Sequence, residues 1–210
     1  MRYSEALAVQ TRIAAERRQG FGVDRLLFVE HPHVVTIGRN GRPENLLAPE
    51  ETLRRSGIEL YETDRGGDVT YHGPGQIVGY PIMDLRAWKR DVGAFVRGIE
   101  QVLIDTASDF GIVARRIAGL TGVWVGEAKI AAIGVHLSRW ISTHGWALNV
   151  ATDLRYFQYI LPCGLTKPVT SMELLGVHAD ADDVKTSLIR HFGKIFNFAM
   201  QAEPALTERY

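Results

Sequence analysis

RGGDVTYHGPGQIVGYPIMD, residues Arg65–Asp84, sets five glycines and a histidine between two segments that otherwise have strand composition. Val69, Tyr71, Ile77, Val78, Tyr80 and Ile82 supply the β-branched and aromatic side chains of strands, and Gly73-Pro74-Gly75 supplies a turn between them. The expected product is a hairpin whose tip and inner edge are bare backbone. Glycine inside a strand pattern marks a place where something approaches the main chain closely. A tight hairpin accounts for Gly73 and Gly75. It accounts less well for Gly66-Gly67 just after Arg65, or for His72 beside the turn.

Outward from this stretch the chain mixes helices with strands. Ala6, Val9, Ile13 and Ala14 recur at helical spacing before Gly20, and Val92, Phe95, Val96, Ile99, Val102, Leu103 and Phe110 do so over a longer span. Leu26–Val29 and Val34–Ile37 read as short strands, and Gly122–Val150 as strands in succession. Pro49, Glu50 and Glu51, followed by Arg54, Arg55 and Gly57, mark a short helix whose charges match its dipole. Val184, Leu188, Phe192, Ile195 and Phe196 form a last helix with an acidic start at Asp180, Asp182 and Asp183. No repeat or linker divides the chain, so residues 1–210 are expected to form one catalytic domain. Arg39–Leu47 is the expected mobile loop.

Composition narrows the classes of function. Hydrophobic residues at 46% and charged residues at 23% are ordinary globular usage. Lys plus Arg and Asp plus Glu are both 24, and this zero net charge argues against nucleic acid as a main ligand. No apolar run reaches the length of a membrane span, and the residues after Met1 are amphipathic, unlike a signal sequence. The expected compartment is cytoplasmic.

Two residues carry candidate chemistry. Cys163, the only cysteine, lies in ILPCGLTKPVTSM, where Pro162 and Gly164 place it in a turn. One cysteine permits no internal disulfide, which fits a reducing compartment. A lone cysteine is often just a small buried hydrophobe, but a loop position with small neighbours presents the sulfur as a nucleophile. Lys129 is one of 5 lysines against 19 arginines and begins the apolar run KIAAIGV. Either it guards a strand edge, or its ammonium sits in a partly apolar cleft, where it can stabilise a thiolate or move a proton.

These segments together resemble the octanoyltransferase family, also called lipoate-protein ligase B. The resemblance rests on RGGDVTYHGPGQIVGYPIMDL at Arg65–Leu85, KIAAIGV at Lys129–Val135, STHGWALNV at Ser142–Val150, PCG at Pro162–Gly164 and EHPHVVTIGR at Glu30–Arg39. It runs from about Tyr3 to the mid-170s, and several separated motifs in order are far more specific than any one of them. The tail after Phe196 matches least. The family resemblance implies an α+β fold of the biotin and lipoate ligase type, with a mixed or antiparallel sheet packed by helices. It implies transfer of an octanoyl group from octanoyl-acyl carrier protein to a lysine of lipoyl domains, those of 2-oxoacid dehydrogenase complexes and of glycine cleavage H protein. Cys163 would carry the acyl group as a thioester, with Lys129 as its partner. Arg65, Gly66, Gly67, Asp68, Val69, Thr70, Tyr71 and His72 would line the acyl pocket with Ala132, Ile133, Gly134, Gly145, Trp146 and Ala147.

The chemistry of such a dyad follows from general principles. A free thiol titrates near ~8.5, and a nearby ammonium lowers this by favouring the thiolate. Exchanging one thioester for another is nearly isoenergetic and needs no ATP or other cofactor. Attack by a lysine amine then leaves a stable amide, once a base removes the amine's proton. Burial of each methylene contributes roughly 0.8 kcal/mol, so a slot floored by glycine and alanine suits an eight-carbon chain. Oxyanion donors near Gly73–Gly75 and at Cys163 and Gly164 are equal candidates. His72 and His144 lack partners at metal-ligand spacing, so no metal is expected, and His31 and His33 read as structural or rim residues. The alternatives are an ATP-dependent lipoate or biotin ligase, which needs no cysteine, and a non-catalytic relative that binds acyl groups or lipoyl domains.

Overall fold

The structure is a computed structural model that describes residues 1–161 and 167–202. In chain order its elements are α1 (Tyr3–Arg18), β1 (Arg25–Val29), β2 (Val34–Ile37), α2 (Glu50–Arg55), β3 (Glu59–Glu62), β4 (Val69–His72), β5 (Gln76–Ile82), α3 (Leu85–Trp88), α4 (Val92–Asp109), β6 (Arg115–Ile117), β7 (Leu120–Val125), β8 (Ala128–Ser138), β9 (Ile141–Asn149) and α5 (Ala181–Phe196). Short 3-10 turns occupy Pro43–Asn45 and Leu154–Tyr159. No helix among the described residues is long and apolar enough to cross a membrane.

The strands form a six-stranded antiparallel sheet, ordered β1-β5-β9-β8-β7-β6, and a three-stranded sheet, ordered β3-β2-β4. In the small sheet β2 runs parallel to β3 and antiparallel to β4. This is the α+β class that the sequence led us to expect, a mixed and antiparallel arrangement packed by helices.

Period-two alternation gives the large sheet two apolar faces. Trp146 and Leu148 of β9 and Ile77 of β5 point to one face, where α4 supplies Phe95, Ile99, Val102 and Leu103 and α5 supplies Val184, Leu188, Phe192 and Phe196. Val78, Tyr80 and Ile82 of β5 and Ala147 of β9 point to the other, against Ala6, Ile13 and Ala14 of α1. Helices α4 and α5 begin where the sequence expects them to, whereas the short α3 was not expected. The Asp91 carboxylate accepts from the Ala94 N–H at 2.8 Å, and that of Asp180 accepts from the Asp182 N–H at 2.8 Å.

Two expectations are corrected. β4 and β5 do not form a hairpin: β4 pairs with β2 in the small sheet, whereas β5 pairs with β1 and β9 in the large one. The turn between them serves this separation. Gly75 takes φ +77° and its carbonyl accepts from the Val150 and Ala151 N–H groups at 3.2 and 2.9 Å, so the chain end of β9 occupies the place a hairpin partner would need. The Arg39–Leu47 loop is tied down, contrary to its reading as mobile. Arg39 N–H donates to Arg65 O at 3.0 Å, Asn40 N–H to Gly67 O at 3.1 Å and Arg42 N–H to the Asp68 carboxylate at 3.1 Å, while the Asn45 amide donates to the other Asp68 oxygen.

Candidate active site

Pairing of β7 with β8 ends at Val123↔Ala131, so β8 beyond Ala131 has an outer edge without a strand on it. The Arg65–Asp68 loop docks there, with Gly66 N–H donating to Val135 O at 2.9 Å. Gly134 makes this approach possible, since a Cβ at that position would lie 2.6 Å from Gly66 O. Arg65, 7% exposed, fixes the loop to the small sheet. Its guanidinium donates to Thr36 O at 2.6 Å, Thr36 Oγ1 at 3.0 Å, Asp68 O at 2.7 Å and Gly66 O at 3.0 Å. The arginine thus acts on the loop's main chain.

Between this loop and β8 opens a cleft of about 670 Å³, with Gly66, Gly67, Asp68, Lys129, Ile133 and Gly134 in its walls. That volume is typical of a small-molecule site. A narrow slot beside it is lined by Thr70, Gln76, Lys129, Ala132, Ala147 and Asn149. Lys129 belongs to both. It is 7% exposed, its Nζ lies 4.8 Å from the centre of the Trp124 ring, and its strand is flanked by β7 on one side and Val169 on the other. The strand-edge reading of this lysine is therefore replaced by a buried one. A cation over an indole face is attracted by the ring quadrupole.

Other expected pocket residues are distributed by strand alternation. Ala132 faces Ala147 across β8 and β9, and both reach the slot. Gly145 faces Gly134 but packs against the Gly79 backbone and Pro81. Trp146 is 2% exposed and lies on the helical face, near Phe28 and Phe192. Val69 and Tyr71 are buried in the small sheet's core. Tyr71 Oη lies 2.7 Å from His33 Nδ1, its ring stacks on Tyr156, and burial pushes its phenol pKa up. His72 lies 2.7 Å from Gln76 Oε1, and burial first, then the neighbouring His31, lowers its pKa to about 3. It is neutral at any working pH. Cys163 lies outside the described residues.

A second polar group stands behind the loop. His144 is 1% exposed, and its Nε2 lies 2.7 Å from the Asp64 carboxylate, which His136 also approaches at 3.3 Å. Burial lowers the His144 pKa in spite of that carboxylate. Burial raises Asp64, but the His144 hydrogen bond and charge outweigh it and hold the carboxyl below its usual range. Among the described residues no group of three or more His, Cys, Asp and Glu is arranged to hold a metal ion. Sequence reasoning missed Gln76 and Asn149 as slot residues, although both lie inside motifs it quoted.

The family model for the lipoyl protein ligase A/B catalytic domain matches residues 2–193. The chain is 66% identical over 198 residues to an octanoyltransferase of Solibacter usitatus (strain Ellin6076), covering 94% of this chain and 90% of that protein. Among solved structures, it resembles lipoate-protein ligase A bound with ATP, with a TM-score of 0.74, 20% identity and coverage of 93% of this chain and 83% of that one. It also resembles a bi-partite lipoate protein ligase of Thermoplasma acidophilum, studied with its E2 lipoyl domain, with a TM-score of 0.73, 20% identity and coverage of 93% and 82%. The structural likenesses agree on the fold, and the sequence match on the family. The chain therefore belongs to the lipoyl protein ligase A/B catalytic-domain family, among its octanoyltransferases, and is an acyltransferase.

Proposed function

We propose that this protein transfers an octanoyl group from octanoyl-acyl carrier protein to a lysine of lipoyl domains, those of 2-oxoacid dehydrogenase complexes and of glycine cleavage H protein. In this reading it works in the cytoplasm, residues 1–210 act as one catalytic domain, and no cofactor takes part. The Cys163 thiolate attacks the carrier's thioester carbonyl, a new thioester forms, and the carrier leaves as its thiol. The lipoyl-domain amine then attacks Cys163's thioester, loses a proton to a base, and leaves as the amide while the cysteine thiol is regenerated. The carrier has to depart before the second protein reaches the same sulfur, which makes the order ping-pong.

The observation that carries the proposal is the place of Lys129. Its ammonium is buried at a cleft of suitable size, and its N–H donates to Pro168 O while its carbonyl accepts from Thr170 N–H, both at 2.9 Å. The described residues on either side of 162–166 are tied to residues of this cleft. Leu161 N–H donates to the carbonyl of Asn45, a cleft residue, at 2.7 Å, and Pro168 pairs with Lys129. A cation held there favours a nearby thiolate.

Mixing the protein with octanoyl-acyl carrier protein and no ATP tests this. An octanoyl group should appear on the peptide that contains Cys163 and be lost on hydroxylamine treatment, and Cys163→Ser should not take it up. An adduct formed only with ATP, or one that persists in the serine variant, would overturn the assignment.

A further inference from the structure

We propose that Gln76 and Asn149 form a positioning relay that holds Pro168–Thr170, which follow Cys163 in the sequence, in register against Lys129. The inference deepens the reading above and rests on its pairing of Cys163 with Lys129.

The two residues are cross-strand partners of β5 and β9, and both are buried, at 1% and 4% exposure. Their hydrogen bonds can be oriented without ambiguity because a main-chain carbonyl only accepts. Thr170 O lies 2.9 Å from Asn149 Nδ2, so the nitrogen faces Thr170 and the oxygen faces Gln76. That oxygen then accepts from Gln76 Nε2 at 2.9 Å, and the same nitrogen also donates to Tyr71 O at 3.3 Å. Gln76 Oε1 is left toward His72, whose neutral ring must carry its one proton on Nδ1 to donate across 2.7 Å. Each amide has one allowed orientation.

The relay ends at the residue that grips Lys129. Thr170 receives Asn149 through its carbonyl and donates its own N–H to Lys129 O at 2.9 Å. Thr170 is itself 4% exposed, so water offers no substitute partner. An apolar pair would fill the same space. A directional chain of amides instead admits a single register, because a slip leaves buried donors unpaired. The relay thus joins the turn of the glycine-rich motif to Pro168–Thr170 and, through them, to Lys129.

The test uses Asn149→Asp and Gln76→Glu, which keep shape but replace the donor nitrogens, together with the uncharged Gln76→Met for the case where a charged variant does not fold. Ser142→Ala is the control. It removes a buried donor at the other end of β9, where Ser142 Oγ donates to Pro81 O at 2.7 Å. We expect alkylation of Cys163 by iodoacetamide at neutral pH to slow about tenfold in the relay variants, and exchange of the Thr170 amide to quicken by a similar factor, the size of one lost hydrogen bond. The rate against pH should shift upward, kcat should fall, and the control should leave the alkylation profile unchanged. Wild-type alkylation and Thr170 protection in the variants would overturn the relay, and so would an equal loss in the control. Failure of the underlying reading looks different: the wild-type protein itself would take up no octanoyl group.

Discussion

Replacing Gly134 with alanine should loosen the glycine-rich loop and damage acyl binding together. The added Cβ would lie 2.6 Å from Gly66 O and 3.2 Å from Arg65 Cδ. Ordinary contact begins at about 3.4 Å, so the loop carbonyl must retreat by roughly 0.8 Å. A retreat of that size stretches the 2.9 Å bond from Gly66 N–H to Val135 O past hydrogen-bonding range. Arg65 resists the movement, because its guanidinium holds the same loop to Thr36. Overpacking of this kind costs about 1–3 kcal/mol. At about 2–4 °C of Tm per kcal/mol for a chain of this size, thermal unfolding should fall by roughly 2–12 °C. Circular dichroism melting measures that, and the KM of a small octanoyl thioester should rise several-fold in the same variant. A Tm within about 1 °C of wild type, with an unchanged KM, would refute the close-approach argument.

Three further outcomes are expected. Lys129→Met should slow alkylation of Cys163 at neutral pH and move its pH profile upward, and superimposable profiles would remove the lysine from the pair. Arg39 and Arg42 are exposed, and Arg42 lies in the cleft wall, so replacing both with glutamate should raise KM for an acidic acyl carrier protein, more so at low salt, while sparing a small octanoyl thioester; equal losses with both donors would assign these arginines to the pocket. Burial lowers the pKa of His31 to about 4 and that of His72 to about 3, whereas unfolded histidines titrate near ~6.5. The unfolded chain binds more protons below that value, so stability is fully present above it and is lost as pH falls toward the folded values. Urea midpoints should drop steadily on acidification, and a flat midpoint down to about pH 4.5 would contradict neutral burial of these rings.

Much of the fold was legible because helices α1, α4 and α5 repeat their apolar residues every three or four positions, a signal that needs no knowledge of distant partners. The separation of β4 from β5 was not, since the same Gly-Pro-Gly turn serves a hairpin or a change of sheet, and the choice is made by β2 and β9. The Arg39–Leu47 loop looked mobile for the same reason: the Asp68 carboxylate that secures Arg42 is 26 residues away. At the site, the motif letters gave Lys129 and the glycines, but Gly145-Trp146-Ala147 cannot all face one side of a strand. Their alternation sends Trp146 to the face covered by α4 and α5 and Ala147 to the opposite one, where it reaches the slot. Gln76 and Asn149 escaped notice because amides carry no charge and their role depends on the partners they bridge.

The bond between Gln10 Oε1 and the His144 N–H spans 134 residues, and it sets a schedule for the nascent chain. α1 leaves the ribosome well before β9, one of the two strands against which it packs. At about 5–20 residues per second, the helix waits roughly 7–27 s for its partner. Until β9 is made, Ala6, Ile13 and Ala14 can meet only Val78, Tyr80 and Ile82 of β5, and the face completed by Ala147 stays open. Docking of α1 is therefore completed only when β9 joins the sheet.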